Sequence, residues 1–64
     1  MSANNGLFIN KKTFAVYEHG CMDNGFLEKE ASFIGRGKNV AEAVQIAEDY
    51  MNEEIVEYGV NFYN

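Results

Sequence analysis

The sequence predicts a small α+β domain in which an antiparallel sheet of two or three strands packs against one long C-terminal helix, over about residues 39–58. Three observations predict it. From Leu7 to His19 the composition turns aromatic and β-branched, a glycine-containing stretch follows, and alternation resumes from Phe26 to Ile34, the pattern of strands around a reversal. From Val40 onward the apolar residues recur at helical spacing. Between the two segments Asn39 is followed three residues later by Glu42, the signature of a helix start.

Met1 to Gly6 is small and polar and reads as a frayed terminus. Thr13 to Glu18 is the first strand, with Phe14 and Val16 on one face and Thr13, Ala15 and Tyr17 on the other. Leu7-Phe8-Ile9 is either the start of that strand or a separate short one. His19 to Gly25 carries two glycines and ends in Asp-Asn-Gly, chemistry that supplies positive φ for a hairpin loop. Phe26 to Ile34 resumes alternation, with Leu27, Lys29, Ala31 and Phe33 expected toward the core. Gly35-Arg36-Gly37-Lys38 is a basic turn out of the sheet.

The helix is expected to start at the Asn39 cap, with the Glu42 carboxylate reaching back to the cap amide. Val40, Val44, Ala47, Met51, Ile55 and Tyr58 form its apolar stripe, widened by Ala43 and Tyr50. Gly59 stands where a left-handed C-cap glycine belongs. The tail Val60 to Asn64 alternates again and reads as a short edge strand or as a partner-docking segment. One helix covers one face of such a sheet, so Tyr17 and Phe26 on the other face argue for a homodimer or a bound target.

Sixty-four residues make a single domain, and so short a chain buries only about 60% of its unfolded surface. A hydrophobic content of 47% is nevertheless too high for a disordered chain. The single cysteine, Cys21, excludes an internal disulfide and fits a reducing compartment. No apolar run approaches the roughly 20 residues that span a bilayer, and no secretory signal is evident, so the expected location is cytoplasmic. A net charge of −5 opposes binding to nucleic acid or anionic membrane and points to a basic protein partner.

That charge is segregated. The five Lys and Arg residues all precede Asn39, whereas Glu42, Glu48, Asp49, Glu53, Glu54 and Glu57 all follow it. At 100° per residue Glu42, Asp49, Glu53 and Glu57 fall on one ridge of the expected helix, away from its apolar stripe. Asp49/Glu53 and Glu53/Glu57 are like-charge pairs one turn apart, each unfavourable by roughly 0.2–0.5 kcal/mol. Acids near a helix C-terminus also oppose the macrodipole. The candidate partner-binding residues are therefore Glu42, Asp49, Glu53, Glu54 and Glu57, weighed against a solvated face that only aids solubility.

Other constellations are weaker. His19, Cys21 and Asp23 share a loop, but zinc needs four ligands and a cysteine nucleophile needs a walled pocket. Gly35-x-Gly37 before a helix lacks the third glycine of a phosphate loop, since Val40 stands there. Glu28 and Glu30 fit an exposed strand face. No catalytic, cofactor-binding or metal-binding residue is assigned, and the chain is not expected to be an enzyme.

The passage from a strand through a glycine turn into Asn39-Val40-Ala41-Glu42-Ala43-Val44-Gln45-Ile46-Ala47 resembles HicB-like antitoxin domains over about 25 residues. That resemblance implies an Ala/Glu-rich helix covering a small antiparallel sheet. The expected function is a small acidic, non-enzymatic protein-binding module, such as a phage or mobile-element inhibitor, that docks its ridge on a nucleic-acid-handling protein as a DNA mimic. The alternative is an antitoxin-like or structural homodimeric regulatory module whose acids only solubilise.

Overall fold

A computed structural model describes residues 5–20 and 28–64. Strands β1 (Asn5–Asn10), β2 (Ala15–Gly20) and β3 (Ser32–Arg36) precede helix α1 (Val40–Glu53), and β4 (Val60–Tyr63) closes the chain; a 3₁₀ turn, Glu28–Glu30, leads into β3. The sheet has four strands in the order β3-β2-β1-β4. β2 is antiparallel to both β1 and β3, but β4 runs parallel to β1, so the sheet is mixed and not the two- or three-stranded antiparallel one that the sequence predicts.

The parallel pairing of β4 has a physical origin. α1 carries the chain back over the sheet from β3 to the far edge, and a return through a helix delivers the next strand parallel to the one before it. Val60–Tyr63 is thereby an edge strand beside β1, with Leu7 opposite Val60 and Ile9 opposite Phe62. β1 is then a central strand covered on both faces. Leu7 and Ile9 are fully buried toward α1, and Phe8 is buried toward the opposite side. Its uninterrupted apolar run is what such a strand requires, which explains why alternation did not reveal it.

β1 and β2 are joined by a tight turn. The Asn10 side-chain oxygen accepts from the amides of Lys12 (2.8 Å) and Thr13 (3.0 Å), and the Phe14 amide donates to the Asn10 carbonyl (2.8 Å). Phe14 therefore belongs to the turn, with φ of 63°, and not to the strand. Asn5 and Gly6 belong to β1 and not to a frayed tail. The strand expected from Phe26 is displaced as well: Glu28–Glu30 is helical, and only Ser32–Arg36 pairs. Where Val16 faces Gly35 and Tyr17 faces Phe33, Ile34 is the extra residue of an irregularity. Ile34 packs against the core as a result, whereas Phe33 turns to the face away from α1, stacks edge-on with Tyr17 at 5.6 Å, and is 57% exposed. Residues 21–27 of the expected loop and strand lie outside the described residues.

α1 begins as expected. The Asn39 side chain accepts from the Glu42 amide at 2.9 Å, although the Glu42 carboxylate reaches back to the amide of Lys38 (2.8 Å) and not to that of the cap itself. The helix ends at Glu53, about a turn and a half before residue 58. Glu54 is extended, and its amide closes the last turn on the Tyr50 carbonyl. Two influences stop it there. Glu53 and Glu54 place negative charge at the negative end of the macrodipole. Asn5 also captures the following chain: its side chain donates to the Ile55 carbonyl (2.9 Å) and accepts from the Glu57 amide (3.2 Å), and its carbonyl accepts from the Tyr58 amide (2.9 Å). Ile55 and Tyr58 are exposed and leave the apolar stripe. Gly59 does have positive φ, 66°, but it turns the chain into β4, where its carbonyl accepts from Leu7.

The core lies between α1 and the sheet. Leu7, Ile9 and Val16 meet Ala43 and Ala47, whose methyl groups let the helix approach closely, and Val44, Ile46, Tyr50, Met51, Val56 and Val60 pack around them. Gly37 serves the same closeness. A Cβ there would stand 2.6 Å from the Ala43 amide nitrogen and 2.8 Å from the Glu42 Cβ. Among the described residues, no helix is long and apolar enough to cross a membrane.

Candidate partner-binding face

α1 carries Glu42, Glu48, Asp49 and Glu53 and no Lys or Arg. Glu42, Asp49 and Glu53 fall on one side of it, since seven and four residues at 100° return nearly to the same direction. Ala43 and Ala47, on a different side, fix that direction by seating the helix on the sheet. Glu54 is the extended C-cap residue and Glu57 lies in the loop held by Asn5, so neither continues the helical ridge.

The three acids differ in surroundings. Glu42 is engaged in capping through Lys38. Asp49 accepts from the Gln45 side-chain amide at 2.9 Å, which fixes its rotamer along the helix. Asp49 and Glu53 also border an open depression of about 280 Å³ between α1 and β3, whose other walls are Ile34, Ile46 and Tyr50. Tyr50 lines this depression and is partly buried against the core. Burial first, and then its hydrogen bond to the Glu18 carboxylate and the charges of Glu18 and Glu54, push its phenol up to about 12. Asn5 in turn donates to Glu18 at 2.6 Å, so the wall of the depression is tied through β2 to β1 and to the segment that follows the helix.

A second polar cluster, not anticipated from sequence, lies on the other face of the sheet. The Glu28 carboxylate accepts from the hydroxyls of Tyr63 (2.7 Å) and Tyr17 (3.2 Å), so one side chain ties the 3₁₀ turn to β2 and β4. Burial, then the Glu28 hydrogen bond, push the Tyr63 phenol up to about 12 against a lowering hydrogen bond from Asn10. Tyr17 is raised too, by burial and then by Glu28, with Arg36 opposing. The partners lie 11 and 35 residues from Glu28, beyond any local pattern.

The weaker constellations resolve as follows. His19 is buried in β2 with its ring edge-on to Phe8 at 6.3 Å, while Cys21 and Asp23 lie outside the described residues. Gly37 is filled by the first turn of α1, which explains a glycine there by packing. Among the described residues, no group of three or more His, Cys, Asp or Glu is placed to hold a metal ion. No protein-family model, curated protein or solved structure matches this chain.

Proposed function

We propose that this chain is a non-enzymatic protein-binding module that presents the Glu42, Asp49 and Glu53 side of α1 to a basic surface on another protein, and that nucleic-acid-handling proteins, whose surfaces are built for polyanions, are the partner class. The observation that carries this is a helix with four acids and no base, seated so that its acidic side looks away from the core and runs into an apolar-walled depression. Unbalanced charge on a helix is unfavourable by itself, so the arrangement is accounted for by a cationic counterpart.

The test is retention of host proteins by the immobilised chain, comparing wild type with the double variant Asp49→Lys/Glu53→Lys in low and high salt. Wild type is expected to retain a basic partner that charge reversal, ~1 M salt or competing nucleic acid releases, since screening shortens the Debye length from about 8 Å to about 3 Å. Equal retention by both forms overturns the proposal. Retention only of further copies of the chain would favour the second reading, an antitoxin-like homodimeric module. Two features support that alternative: Phe33 is 57% exposed on the open sheet face, and Phe62 is 49% exposed on the edge strand.

A further inference from the structure

The depression between α1 and β3 has a composition that selects its occupant. Ile34, Ile46 and the Tyr50 ring give it apolar walls, and Asp49 and Glu53 supply its charge. Both carboxylates are pure acceptors, each with about four lone-pair sites, so the single Gln45 donor on Asp49 leaves most of that capacity available. Tyr50 adds an aromatic ring to this lining. A ligand must therefore bring donors, positive charge and an apolar stem together.

Size narrows the choice. About 280 Å³ falls just below the roughly 300–1,000 Å³ of sites that enclose small molecules, and suits one side chain projecting from a larger partner. A hard divalent cation needs six or more oxygen ligands, which apolar walls with two carboxylates do not provide. Between the two basic side chains, a guanidinium is planar, stacks on aromatic faces and bridges two carboxylates with its five donors, whereas an ammonium keeps its hydration more strongly.

We infer that this depression receives an arginine side chain of the basic partner, with its methylene stem against Ile34 and Ile46 and its guanidinium over Tyr50 between Asp49 and Glu53. The inference rests on the reading of α1 as the docking face and adds the residue that the face recognises. Ile34 belongs to the site because the irregularity in β3 turns it toward α1. Glu42 stands at the other end of the helix and takes part only in the wider field.

The test is an NMR titration of the full ¹⁵N-labelled chain with the peptide acetyl-Gly-Arg-Gly-amide and its lysine and citrulline counterparts. Saturable shifts are expected at Ile34, Ile46, Asp49, Tyr50 and Glu53. The arginine peptide should bind more tightly than the lysine peptide, and the uncharged citrulline peptide should not saturate. Glu53→Gln should weaken binding roughly two- to five-fold, the range of one exposed ion pair. Glu48→Gln, on α1 but off its acidic side, should leave it unchanged. Shifts that spread over all the carboxylates without saturation, or equal weakening by Glu48→Gln and Glu53→Gln, would overturn the inference. A parallel titration with hexa-arginine separates the two levels. Binding that Asp49→Lys/Glu53→Lys abolishes, without saturation by the tripeptide, leaves the docking face standing and removes the arginine site. No binding of hexa-arginine to the wild type removes both.

Discussion

Gly37→Ala probes the close approach between the end of β3 and the first turn of α1. The alanine Cβ would lie 2.6 Å from the Ala43 nitrogen, 2.8 Å from the Glu42 Cβ and 2.9 Å from the Glu42 carbonyl carbon, all in the first turn of α1. Backbone atoms cannot swing aside as a side-chain tip can, so either the helix start or the end of β3 must shift. Shifting Gly37 also strains the hydrogen bond from its amide to the Phe14 carbonyl, 3.0 Å, which fixes the β1–β2 turn against the helix start. Overpacking of this kind costs about 1–3 kcal/mol, and loss of one backbone hydrogen bond adds about 0.5–1.5 kcal/mol. Against this, alanine restricts the unfolded chain and returns about 0.4–1 kcal/mol. The net expectation is a destabilisation of about 1–3 kcal/mol, a large share of the roughly 3–10 kcal/mol available to a chain of this length. Urea unfolding followed by helical circular dichroism should show the midpoint falling by ~1 M or more with the slope unchanged. Gly35→Ala is the internal control, because its Cβ would meet only Ile46 side-chain methyls at ordinary contact distances, 3.4 Å and 3.7 Å. A Gly37→Ala protein as stable as the wild type, or more stable than Gly35→Ala, would refute the packing account of this glycine.

Two further outcomes are expected. Tyr50 and Tyr63 titrate near 12 in the folded chain against about 10 when unfolded, so the unfolded state loses protons first; the stability they contribute is complete below pH 10 and is lost between pH 10 and 12. Alkaline unfolding should therefore be shallower in that window for Tyr63→Phe than for the wild type, and identical curves would contradict the account of a buried, Glu28-bonded phenol. Asn5→Ala should destabilise the chain by about 1–3 kcal/mol through loss of the bond to the Glu18 carboxylate. In the same variant, hydrogen exchange should quicken at the Glu57 amide, which bonds the Asn5 side chain, more than at the Tyr58 amide, which bonds the Asn5 carbonyl.

What the sequence alone determined is what neighbours in the chain decide. The cap at Asn39 and the start of α1 follow from side chains within a few residues of the amides they satisfy. The central residues of β2 follow from period-two alternation, and the accumulation of acid on α1 follows from composition and helical geometry. Phe14 left the strand through the local turn at Asn10, but most of what was misplaced depended on a distant partner. β1 hid its identity because two covered faces erase alternation, and β4 found its orientation only from the path of the helix across the sheet. α1 stopped early because Asn5, some 50 residues away in sequence, binds the backbone that would have continued it. The candidate site divides in the same manner. Asp49 and Glu53 were legible one turn apart on a helix, but Ile34 joined them through an irregularity in β3, which no pattern in either segment announces. Local hydrogen bonding and periodicity are properties of a segment; burial, strand direction and the lining of a depression arise only when separate segments meet.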